Sequence, residues 1–179
     1  MRKILSLSAA FLAMVILFTG CGNKPKEAVL ESPVTIEQVN TEGKYAARAF
    51  VESLFRDDRQ LFEACYPAGF IDSLNSAAGV DVYEQYKGVM TVSGEFLGTG
   101  FADYREYTVD NGYDEAFLRS RITNVTGFEY SQVGQIQLQK ITLFFRYGEE
   151  EVDTDFYIIV YEVQGSWYVL ESINAEKTF

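Results

Sequence analysis

The hydrophobic pattern of this chain changes period once, near Tyr104. Before that point, apolar residues recur at i, i+3 and i+4. After it they come in β-branched and aromatic runs, with alternation in places. The first period lines one face of a helix and the second one face of a strand, so helices are expected first and strands afterwards. That order reads as an α+β domain whose helices pack on one face of an antiparallel sheet.

Tyr45, Ala46, Ala49, Phe50, Ser53 and Leu54 define the first helical face, with Thr41 placed to cap it. Asp57-Asp58 interrupts, and Leu61, Phe62 and Cys65 continue the face until Pro67. Two helices are therefore expected, over 41–56 and 58–65, with Asp57 or Asp58 capping the second. Residues 70–86 again favour helix through Leu74, Ala77, Ala78, Val82, Tyr83 and Tyr86, punctuated by Gly69 and Gly79. Residues 88–103 are read as a further helix with a loop after it. Beyond them Tyr104, Glu106, Thr108 and Asp110 alternate with Arg105, Tyr107 and Val109. Residues 136–147, 155–163 and 167–173 read as strands, joined by turns at Gly148 with Glu149 to Glu151 and at Gln164-Gly165. Residues 124–129 are read as an additional strand. Short turns between consecutive strands give an antiparallel meander.

The N-terminus has a separate logic. Met1-Arg2-Lys3 is basic, residues 4–18 are apolar except for Ser6 and Ser8, and small residues lead to Cys21. This is the layout of a secretory signal, and the apolar run falls short of the ~20 residues of a membrane-spanning helix. Leu17-Phe18-Thr19-Gly20-Cys21 resembles the lipobox of bacterial lipoproteins, with Gly20-Cys21 its most telling pair. The resemblance implies removal of residues 1–20, diacylglycerol on the sulfur of Cys21, and a protein anchored by lipid on the extracytoplasmic face of the cell membrane. Two acyl chains anchor stably where one does not.

Removing Arg2 and Lys3 leaves 13 of the 15 Lys and Arg against 26 Asp and Glu, a formal charge of −13. Anionic lipid repels such a body. Nucleic acid is excluded as a partner, because no basic surface is available to displace counterions. With Cys21 acylated, Cys65 is the one remaining thiol, expected as a small buried hydrophobe rather than a reactive group. Residues 21–40, with Pro25, Pro33, Lys24 and Lys26, read as the lipidated cysteine and a flexible tether. Residues 41–179 form one domain of ordinary size.

Two segments carry a further resemblance. They are the helix Ala46-Ala47-Arg48-Ala49-Phe50-Val51-Glu52-Ser53-Leu54, with Leu61-Phe62 after a short acidic break, and the terminal hairpin from Tyr157 to Leu170 with Trp167 opening its last strand. Together they are similar to the NTF2-like, or cystatin-like, superfamily, which implies N-terminal helices cradled by a curved antiparallel sheet.

The chain contains no histidine. Ser-His-Asp and Cys-His nucleophile systems and His-containing zinc sites are thereby excluded, and one thiol is too few for a thiolate zinc site. Neither GxxxxGK[ST] nor GxGxxG is present. Glu149-Glu150-Glu151 with Asp153 and Asp155 has oxygen ligands, but along a strand they lie in a line, whereas calcium needs ligands around one point. Asp110-Asn111-Gly112-Tyr113-Asp114-Glu115 has its glycine at position 3, not 6, so Asn111-Gly112 reads as a turn. Tyr104, Tyr107, Tyr113, Tyr130, Tyr147, Tyr157 and Tyr161 beside Asp103 and Glu106 resemble the pocket carboxylate and tyrosine of some NTF2-like enzymes. The family's motif residues do not match one by one, so no catalytic residue, cofactor or metal is assigned.

The expected activity is non-enzymatic binding of a small apolar ligand or an envelope protein. The alternatives are a small-molecule isomerase or hydrolase-like enzyme with a pocket carboxylate and tyrosine, and a scaffold or immunity-type accessory lipoprotein.

Overall fold

The computed structural model describes residues 28–90, 93–108 and 114–173. Helix α1 (Gly43–Phe55) is almost wholly buried, because Ala46, Ala47 and Ala49 let it lie close while Phe50, Val51 and Leu54 fill the space around it. Thr41 does not cap it. Its hydroxyl donates back to the Gln38 carbonyl within a turn, and Glu42 takes the cap position. Asp58 caps α2 (Arg59–Ala64) by accepting from the Leu61 amide at 3.0 Å. The helical stretch read over 70–86, punctuated at Gly79, forms two helices, α3 (Phe70–Ala78) and α4 (Val82–Val89). Gly79 ends α3 with a left-handed φ of 69°, and Asp81 caps α4.

Strand β1 (Glu95–Glu106) occupies much of the segment expected as helix. Four glycines between 88 and 100 weaken any helix there, and pairing with β2 supplies the hydrogen bonds instead. Helix α5 (Glu115–Thr126) replaces the first part of the strand expected at 124–129. Asp114 caps it, Leu118 and Ile122 bury one face, and Gly127 closes it at φ 78°. A 3-10 turn leads into β2 (Val133–Tyr147), followed by β3 (Glu150–Val163) and β4 (Ser166–Ile173). The order is β1-β2-β3-β4, antiparallel throughout, as the meander requires.

Alternation along β3 builds two cores. Phe156, Ile158 and Val160 face α1 to α4, whereas Tyr157, Ile159, Tyr161 and Val163 face the side that α5 covers. Helices thus lie on both faces, a correction to the one-sided packing expected, because the apolar pattern of α5 is too sparse to announce a helix. No described helix is long and apolar enough to cross a membrane.

The segment expected as tether is docked from residue 28 onward. Val34 and Val39 are buried in the helical core, and Glu31 donates its amide to the Thr99 carbonyl at the outer edge of β1. The boundary expected at residue 41 therefore falls inside packed chain. The opposite edge is also covered. The Trp167 and Val169 amides of β4 donate to the carbonyls of Asn40 and Cys65, at 3.0 and 2.9 Å.

Candidate functional site

Cys21 lies outside the described residues, as do Asp110 to Tyr113. Cys65 is buried against the carbonyls of Leu61 and Ala46, and burial pushes its thiol well above the usual range, so it stays protonated. Glu151, Asp153 and Asp155 do line one face of β3. Glu151 pairs with Arg146, while Asp155 binds Lys140 and the Thr142 hydroxyl. The tyrosines scatter. Tyr107, Tyr157 and Tyr161 enter the core beneath α5, Tyr147 packs at the rim of the helical core, and Tyr104 and Tyr130 are exposed.

The helical core is filled by rings. Phe62 meets Phe50, Tyr66, Tyr83 and Tyr86 with centroids 5.1 to 5.9 Å apart, edge-on or tilted, as aromatic quadrupoles prefer. Among the described residues one fully buried carboxylate borders this core, and its partners identify it as structural. Glu52, 1% exposed, accepts from Thr99 at 2.5 Å, from Arg48 at 3.3 Å and from the Val34 amide at 3.0 Å. Arg48, 2% exposed, also binds Thr99 Oγ1, Glu31 Oε2 and the Ser32 carbonyl. Arg48 and Glu52 stand four apart on α1, a spacing that helical reading exposes as an ion pair. Only the fold could show that the pair is buried and shared with β1.

A groove of about 260 Å³ opens at the far end of the sheet. It is lined by Glu106, Tyr107 and Thr108 after β1, Glu115 and Arg119 of α5, Gly134, Gln135 and Ile136 of β2, and Glu162 of β3. A bulge builds it. Register slips between Val133 and Ile136, and Arg119 donates to the Val133 and Gly134 carbonyls there while gripping Glu115. Gly134 leaves room for the Glu162 carboxylate, which would have to swing aside for a Cβ at that position. Glu162 is held in turn by the Gly165 amide.

Gln135 joins this groove to the interior. Its Oε1 accepts from Gln137, whose own Oε1 accepts from Gln139, giving an amide ladder along β2 beneath the start of α1. The groove combines fixed carboxylates, a guanidinium already bonded to backbone, and a tyrosine ring. Such a surface offers polar recognition. Of the described residues of the expected constellation, Tyr107 and Glu106 line this groove, while Tyr113 lies outside the described residues. The Glu115/Arg119 spacing is a signal in the sequence, but it acquires meaning only once α5 is recognised as a helix.

Comparison with protein families, with curated proteins and with solved structures returns no match.

Proposed function

We propose that this protein is a lipoprotein held by acylated Cys21 on the extracytoplasmic face of the membrane, with an NTF2-like domain that binds an envelope protein and does no chemistry. One observation carries the choice of a protein partner. The space between α1 to α4 and the sheet, where a small apolar ligand would sit, holds a cluster of packed rings, while the groove at the sheet end opens to solvent. The buried carboxylate that an acid-base enzyme would use is bonded on all sides by Arg48, Thr99 and the Val34 amide. A partner docks on the rim of the groove, near Gln135, Glu162 and the exposed Tyr130.

The anchor is tested by metabolic labelling with an alkyne fatty acid. The wild-type chain takes label and partitions into detergent, and Cys21→Ala loses both; label retained by Cys21→Ala sinks the anchor. The binding reading is tested by photo-crosslinkers at Gln135 and at Ser76 on α3, in intact cells. An adduct of one defined mass from Gln135 and none from Ser76 supports it. Equal adducts from both positions, or none from either, reject the groove as the contact.

A further inference from the structure

Residues 28–34 form neither helix nor strand, yet five hydrogen bonds hold them. The Glu31 amide donates to the Thr99 carbonyl at 3.0 Å, and the Glu31 carboxylate caps the Phe101 amide at 2.9 Å. Arg48 reaches out of α1 to Glu31 at 2.6 Å and to the Ser32 carbonyl at 2.7 Å. The Val34 amide ends the segment on Glu52 at 3.0 Å, with the Val34 side chain buried.

β1 is shaped to receive this segment. A Cβ at Gly98 would stand 2.8 Å from Leu30 Cδ1, and one at Gly100 would strike the Val29 carbonyl. Two glycines flanking Thr99 thus make room for chain that two buried charges then hold. Hydrogen bonds to charged groups are worth more than neutral ones. A loose tether would need none of these partners.

We propose that residues 28–34 are a clamp that limits the reach of the anchor to the chain before it, so that the β1 edge is the membrane-proximal end of the domain. This rests on the lipidation of Cys21 proposed above. Seven chain steps separate Cys21 from residue 28, and even fully extended they span at most ~25 Å. A tether reaching to residue 41 would allow ~70 Å. The longest strand, β2, runs 15 residues, about 50 Å, so with that reach the far end of the domain lies within roughly 75 Å of the lipid. The partner is therefore a protein whose contact surface comes within that reach of the same bilayer.

The test uses the lipidated protein in vesicles of phosphatidylglycerol and phosphatidylethanolamine. A donor dye on Glu149→Cys, in the exposed β2–β3 turn, is read against acceptor headgroups by energy transfer; buried Cys65 does not compete for the label. Wild-type protein transfers strongly. Gly100→Val expels Val29, and Glu31→Ala removes two of the holding contacts without entering the core. Both lower transfer, by about twofold if the clamp releases to Val34, as the contour limit grows from ~25 to ~45 Å. Unchanged transfer in both variants overturns the proposal. Amide exchange at Glu31, Val34 and Phe101 in detergent reads the clamp without the membrane. Exchange at the unstructured-peptide rate at all three overturns the clamp even with Cys21 acylated. Protected amides on a chain without lipid instead condemn the anchor alone.

Discussion

The two faces of the sheet bury alternate residues of the same strand, β3, yet they are closed in different ways. Over the helical face, helices α1, α2 and α4 and the loop after α2 bring Phe50, Phe62, Tyr66, Tyr83 and Tyr86 into one ring cluster, with the Arg48–Glu52 pair sealed at its edge. On the other face a single helix covers a smaller core of Leu118, Ile122, Ile136, Leu138 and β3 tyrosines. That core ends in the groove held by Arg119, Glu115 and Glu162. The face with most buried ring area is expected to contribute most of the hydrophobic stabilisation. The face closed by one helix leaves side chains and backbone carbonyls at an accessible rim, as a binding surface requires.

Mutations can erase this contrast or deepen it. The largest effect is expected from Phe62→Ala, which leaves a cavity among four rings and lowers unfolding free energy by about 4 kcal/mol in urea titrations. A loss below about 1 kcal/mol would mean that the helical face is not the main core. Next comes Arg48→Ala, about 3 kcal/mol, because it strands the Glu52 carboxylate in the interior. Arg48→Met combined with Glu52→Leu removes both charges and recovers most of that loss on the same measurement. If the double variant is as unstable as the single one, the network holds β1 by geometry rather than by charge.

On the other face, Ile122→Ala is expected to lose about 2 kcal/mol, at the lower end for such truncations, because solvent lies close to this smaller core. A loss equal to that of Phe62→Ala would make the two faces equivalent. The smallest effect concerns pH. Asp57 accepts from Lys87 at 2.5 Å and from Tyr83 at 2.9 Å, and these bonds hold its carboxyl below the usual range. A depressed folded-state value gives stability that is present above the unfolded pKa, near 3.9, and is lost as pH falls through the folded value. Asp57→Asn should therefore lower the melting temperature slightly at neutral pH and converge with wild type in acid, so that its acid fall is shallower. An identical acid limb in the variant would place the titrating group elsewhere.

Much of the helical face is legible in the order of residues alone. Alanine and aromatic spacing predicts α1 and α2, Asp58 is a candidate cap, and Cys65 reads as a buried hydrophobe. β-branched runs and the glycine-bearing turns at Gly148 and Gly165 likewise predict β2 to β4. The second face is not legible in this way. Its helix carries a weak apolar stripe, with Leu118 and Ile122 as its buried residues, and Asn124 with Val125 resembles the start of a strand. The candidate groove is hidden for the same reason, since its walls come from four separate segments.

Local chemistry settles the period of each long element, the turns, and the exclusion of histidine-dependent catalysis, and all of these can be read along the chain. The remaining features exist only in three dimensions. Glycine-rich β1 is a strand because β2 offers its backbone a partner, not because its residues favour extension. Residues 28–34 are docked because two glycines of β1 leave space and Arg48 and Glu52 supply buried charge. Such contacts join residues up to seventy positions apart. Their energy depends on burial, and burial exists only once the chain has folded.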